Sequence, residues 1–154
     1  MKKISAMVND MGYSQLSTSL VRSFNNICES YSGIDTMVFY RNPSMLPITP
    51  LFSCMSYAEI WGYDGAVIAT DLKMAKSLIE ITGPKKKYFY LWDLEWLRSP
   101  DPIYKELSNV YNSDSLELIV RSEYHSEIVS KCWKKPSLVM KDFDPEVLLA
   151  ICGE

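Results

Sequence analysis

At 154 residues with 47% hydrophobic side chains, the chain is long enough for one compact domain with a real core and too short for two full α/β domains. A formal net charge of −3 argues against a nucleic-acid binder that works by broad phosphate neutralisation. Cys28, Cys54, Cys132 and Cys152 are scattered with no C-x-x-C pair, which leaves zinc and redox motifs without support and agrees with a reduced, cytoplasmic protein.

The N-terminal "MKKISAMVND" has two lysines and then an apolar run too brief for a signal sequence or a membrane span. Residues 3–8 read as a strand, and "NDMGYS" (9–14) breaks it. Leu16, Leu20, Val21, Phe24, Ile27, Cys28 and Tyr31 then recur at three- and four-residue steps, which predicts a helix over 15–31 with Gly33 at its end. Cys28 and Cys132 fall inside helical patterns, where small thiols are commonly buried. "DTMVFY" (35–40) is the next strand. Three prolines mark 41–50 as an irregular loop, followed by a brief extended piece and a short helix, "MSYAEIW".

The continuous apolar run "GAVIAT" (65–70) predicts a strand covered on both faces. Thr70 or Asp71 can cap the helix whose stripe is Leu72, Ala75, Leu78, Ile79 and Thr82. Residues 87–92 form the following strand. A loop with Pro100 and Pro102 leads to a short helix near 102–111. A strand over 116–121, a helix over 123–133 capped by Ser122, and a strand over 137–140 come next. A last helix begins at Pro145 behind Asp144 as cap. The alternation predicts an α/β fold: a single Rossmann-like domain over 1–154, with a mostly parallel sheet between two helical layers.

In such sheets ligands bind beyond the carboxyl ends of the strands, where helix N-termini supply backbone N–H groups. Lys2, Lys3, Lys85, Lys86 and Lys87 enter strands and belong to the opposite edge, where a solvated basic turn explains them. The carboxyl edge collects 9–14, Arg41, Thr70–Asp71, 92–96 and 122–125. The first loop has the single Gly12 in place of G-x-G-x-x-G, and Arg41 stands where a nicotinamide site would place an acid, so no such cofactor is expected. Gly12 suits close approach of a phosphate or sugar, and equally a plain strand–helix turn. Asp71 and Ser122 read first as helix caps. His125, the only histidine, reads first as a surface residue, and no metal-ligand or Ser–His–Asp spacing stands out.

In "YFYLWDLEW" (88–96) the first aromatics read as core of a central strand. The Trp92–Trp96 loop just beyond it sets two indoles beside two carboxylates. That composition suits a sugar, and equally a structural corner with its acids in solvent.

The order of elements, with "VIATDLKMAKSL", "KYFYLWDLEW", "LELIVRSEYHSEIVSKCW" and "SLVMKDFDPEVLLA", resembles the N-terminal Rossmann-like half of GT-B glycosyltransferases over about residues 3–150. The family often has His where Trp92 precedes Asp93. The resemblance implies an acceptor-side half that binds a sugar or nucleotide sugar. No metal or cofactor is expected from the residues, and the resemblance implies a partner chain or homodimer completing the cleft for hexose transfer. Asp93 would act in catalysis, with Gly12, Trp92, Glu95, Trp96, Ser122 and His125 binding substrate. The alternatives are an interaction or regulatory module that kept the fold, and a flavodoxin-like nucleotide binder.

Overall fold

The computed structural model describes residues 1–98 and 103–153. Seven strands form one sheet: β1 (Lys2–Val8), β2 (Ile34–Tyr40), β3 (Ser53–Ser56), β4 (Ala66–Ala69), β5 (Lys86–Leu91), β6 (Glu117–Val120) and β7 (Leu138–Val139). The order is β3-β2-β1-β4-β5-β6-β7, and every pair is parallel. The expected mostly parallel sheet is therefore wholly parallel. Its order reverses between β1 and β4, the arrangement of the doubly wound Rossmann fold. The brief extended piece after Pro50 is β3, a sheet member beyond the six strands expected. Its residues Met55 and Ser56 are strand, so the short helix expected at "MSYAEIW" shrinks to a 3₁₀ turn at Tyr57–Gly62.

The helices are α1 (Gln15–Ser30), α2 (Leu72–Glu80), α3 (Tyr104–Tyr111), α4 (Glu123–Cys132) and α5 (Pro145–Gly153). Strand alternation divides the core between the two faces of the sheet. Ile4, Ala6, Val38, Ile68, Tyr88 and Tyr90 meet Leu20, Phe24 and Ile27 of α1 and Leu148 and Ile151 of α5. Met7, Phe39, Val67, Phe89, Leu91 and Leu118 meet Leu78, Leu107 and Val129 of α2, α3 and α4. A period-two run with apolar residues on both faces needs helices on both sides, and that is the arrangement found.

Caps set the helix starts. The side chains of Ser14, Asp71 and Ser122 accept from the backbone N–H of Ser17, Met74 and His125, each satisfying a donor that the first helical turn leaves open. Asp71, not Thr70, caps α2; the Thr70 hydroxyl donates to the Met7 carbonyl instead. Gly33 does not end α1, which closes at Tyr31 in extended geometry. Its φ of 91° turns the chain into β2, a conformation that favours glycine. Cys132 is exposed, whereas Cys28 is half-buried against the core with its Sγ 2.9 Å from the Thr36 hydroxyl. The expected loop with Pro100 and Pro102 lies outside the described residues. Among the described residues no helix is long and apolar enough to cross a membrane.

Candidate functional site

Along the carboxyl edge an open groove lies on each face of the sheet. The larger, about 820 Å³, runs between the N-terminal half of α1 and the ends of β5, β6 and β7. Tyr13, Ser14, Thr18 and Arg22 line one wall, and Trp92, Arg121 and Asp142 the other. Alternation along β5 places Trp92 here: Tyr88 and Tyr90 face α1 and α5, and the residue two further on follows them.

Arg121 is the centre of the second wall. Its guanidinium lies 4.0 Å from the Trp92 ring centroid and donates to Asp142 Oδ1 at 2.8 Å, so a cation–π contact and an ion pair fix it together. Phe143 runs near-parallel to the Trp92 ring at 6.0 Å. Arg121 therefore covers an indole face that a sugar would otherwise use. The open aromatic ring of the groove is Tyr13, 79% exposed. Asp142 and Phe143 hold φ of 49° and 57°, a left-handed pair that is costly for non-glycine residues. Neighbours hold this turn in place. The Ser19 hydroxyl donates to the Asp142 carbonyl at 2.7 Å, and the Tyr90 hydroxyl to the Met140 carbonyl at 2.6 Å. Burial pushes the Tyr90 phenol up to about 12, so it stays a donor at ordinary pH.

The second groove, about 680 Å³, includes Asn9, Asp71, Lys73 and Glu95, beside the point where the strand order reverses. Burial raises the carboxyl of Asp71 against the opposing Met74 N–H bond. Burial also raises Glu95, and the charge of Asp71 adds to it. Among the described residues no three His, Cys, Asp or Glu side chains gather to hold a metal ion.

The other sequence candidates are spread through the edge. Asp93 accepts from the Leu94 N–H at 2.8 Å and from Arg98 at 2.5 Å, so both its oxygens serve the corner after β5, outside the larger groove. Trp96 packs edge-on against Tyr111 at 5.2 Å and Trp133 at 6.1 Å, partly buried against the core. Ser122 is committed as a cap. His125 follows it in α4 with its backbone capped and, among the described residues, its Nδ1 buried without a partner. Gly12 donates to Asp10 Oδ1 at 2.9 Å in the turn that leads Tyr13 and Ser14 into the groove; the turn needs no positive φ there. The lysines Lys2, Lys3, Lys85 and Lys86 line a depression on the opposite edge, as their position at strand starts requires.

A scan against protein-family models, a search of curated proteins and a search of solved structures each found no match.

Sequence reasoning missed Arg22, Arg121 and Asp142. Arg121 carried a usable signal, since it is the first residue after β6 on the carboxyl edge. Arg22 is a single exposed charge on a helix, and Asp142 joins the site only through a left-handed turn, so neither stood out.

Proposed function

We propose that the chain is a glycosyltransferase-like domain that binds a sugar or nucleotide-sugar ligand in the larger groove. If active, it transfers a hexose once a partner domain or chain closes the carboxyl edge. The observation that carries this reading is the pairing of walls: Arg22 and Arg121 face a groove that also presents the exposed Tyr13 ring and the hydroxyls of Ser14 and Thr18. Arginines recognise phosphate oxygens, hydroxyls exchange hydrogen bonds with sugar hydroxyls, and an open aromatic ring stacks on a sugar face or a base. Ser14 also opens a helix whose positive end favours an anion.

A second reading, a binding or regulatory module without chemistry, has one observation in its favour. Among the described residues Asp142 is the only carboxylate lining the larger groove, and Arg121 already holds it. General-base catalysis needs a carboxylate that reaches its substrate. Asp93 would have to leave Arg98 and the Leu94 N–H to serve.

An NMR titration with nucleotide sugars, sugar phosphates and neutral glycosides tests the site. Shifts are expected at Tyr13, Ser14, the Trp92 indole N–H and Arg121. Arg121→Ala should weaken binding by about tenfold or more, the loss of one charge-assisted contact. Shifts confined to Lys2, Lys3, Lys85 and Lys86 would place the ligand on the wrong edge and overturn the assignment. Product formation by the isolated chain would decide for an enzyme complete in itself. Binding without turnover is expected, because one half-cleft holds donor or acceptor but not both.

A further inference from the structure

The two ends of the sheet are finished differently. At one end β7 is two residues long, and Lys134, Lys135, Lys141, Asp142 and Asp144 flank it. Short edge strands bounded by charge and proline resist pairing with another chain. At the other end β3 is four residues long and follows Pro50, but no charge flanks it. Residues 42–58 contain no charged side chain, although Asp, Glu, Lys and Arg make up 23% of the chain. The segment is nevertheless at the surface. Met45 is 80% exposed, Leu51 53% and Met55 38%. Each face of the edge carries an apolar residue beside an uncharged serine. Met55 pairs with Phe39 in register and so shares the face of α2, whereas Leu46 lines a small depression with Cys54 on the face of α1.

We propose that this edge is a homodimer interface, in which β3 of one chain pairs antiparallel with β3 of a second copy about a two-fold axis. A two-fold contact sets a patch against itself, so any charge in it meets its own sign. The segment itself brings no charge to that axis, although Arg41 lies over its Tyr57 ring at 5.5 Å, and this favours a second copy over a charged partner. The strand supplies backbone N–H and C=O groups for which, among the described residues, β2 is the one neighbouring strand. Antiparallel pairing satisfies the outward-facing ones and joins two sheets into one. A stable interface buries about 800 Å² per partner, more than four strand residues provide, so the loop before β3 is part of the contact. That loop is already fixed in place. Asn25 of α1 donates to the Thr49 carbonyl at 2.9 Å and accepts from the Leu51 N–H at 2.8 Å, and Phe52 packs edge-on against Phe24 at 5.5 Å. A held surface loses little freedom on association.

Sedimentation and light scattering of the full chain across the micromolar range test the proposal. The expected result is a species of twice 17.7 kDa. Met55→Lys and Leu51→Lys, both at exposed positions, should each weaken the dimer by about tenfold or more while circular dichroism and thermal melting stay native. A monomer throughout the range, an open series of larger species, or a dimer untouched by both lysines would overturn it. The carboxyl-edge groove has a separate readout, so ligand binding by a monomer would refute the dimer and leave the ligand reading standing.

Discussion

Tyr90 reaches from the central sheet to the Met140 carbonyl, and its ring meets Phe143 edge-on at 4.8 Å. It thereby holds the turn that carries Asp142 to Arg121. Tyr90→Phe keeps the ring and removes the donor, leaving a buried carbonyl short of a partner. A loss of about 1–3 kcal/mol in denaturant melts is expected; no loss would mean that the carbonyl finds water and the turn stands without Tyr90. Glu95 yields a pH prediction. Its folded-state pKa is raised, by burial first and by Asp71 second, so the folded chain holds this proton more tightly than the unfolded chain. The ionised group therefore costs stability above its folded pKa, and the cost fades as pH falls toward the ordinary glutamate value. Glu95→Gln should be more stable than the parent near neutrality, with the gap closing on acidification. Urea melts across that range check it, and a gap independent of pH would refute it. Single-residue chemistry was the least legible level. The Trp92–Trp96 loop was rightly placed at the carboxyl edge. Its side chains nevertheless go to different tasks, because Trp92 still follows the alternation of β5, Asp93 closes the corner and Glu95 and Trp96 belong to the 3₁₀ turn at Glu95–Arg98, and no spacing rule anticipates that.

Elements were far more legible, because periodicity reports burial directly. On α1 the stripe Leu20, Val21, Phe24 and Ile27 is fully buried, and on α2 Ala75 and Leu78 are. The failures sit at the ends of those stripes. Tyr31 is 41% exposed, since the helix is closing and its last turn passes the edge of the sheet. Ile79 is only partly buried, and Thr82 lies beyond α2. Phe24→Ala should accordingly cost about 3–5 kcal/mol, with Ile79→Ala clearly less. Chemical denaturation of both variants tests this, and equal losses would show that α2 buries its flank as fully as α1 buries its centre. β3 escaped assignment as a sheet member for a related reason. At an edge only one side pairs, and "SCMS" has neither strict alternation nor a continuous apolar run.

At the scale of the whole molecule, the topology ranks the strands by how firmly they are held. β1 lies between β2 and β4, β4 between β1 and β5, and β5 between β4 and β6. Each is paired along both sides and covered on both faces, so freeing their amides requires the two cores to come apart. β7 has one neighbour, two residues and half-buried side chains, and local fraying is enough to expose it. Native-state hydrogen exchange should therefore find the amides of β1, β4 and β5 slowest, close to the limit set by global unfolding. Those of β7 should exchange at least about a hundredfold faster, since local openings cost far less than the whole stability. The groove walls drawn from the end of β7 would share that lability. Asp142 follows β7 by three residues, whereas Trp92 directly follows β5 and Arg121 directly follows β6. A ligand that bridges α1 and the Arg121–Asp142 pair should slow the exchange of β7 together with that of the α1 N-terminus, because Asp142 joins it to the turn that follows β7. Uniform exchange across all seven strands would refute the ranking, and slowing confined to α1 would show that the ligand does not reach the far wall.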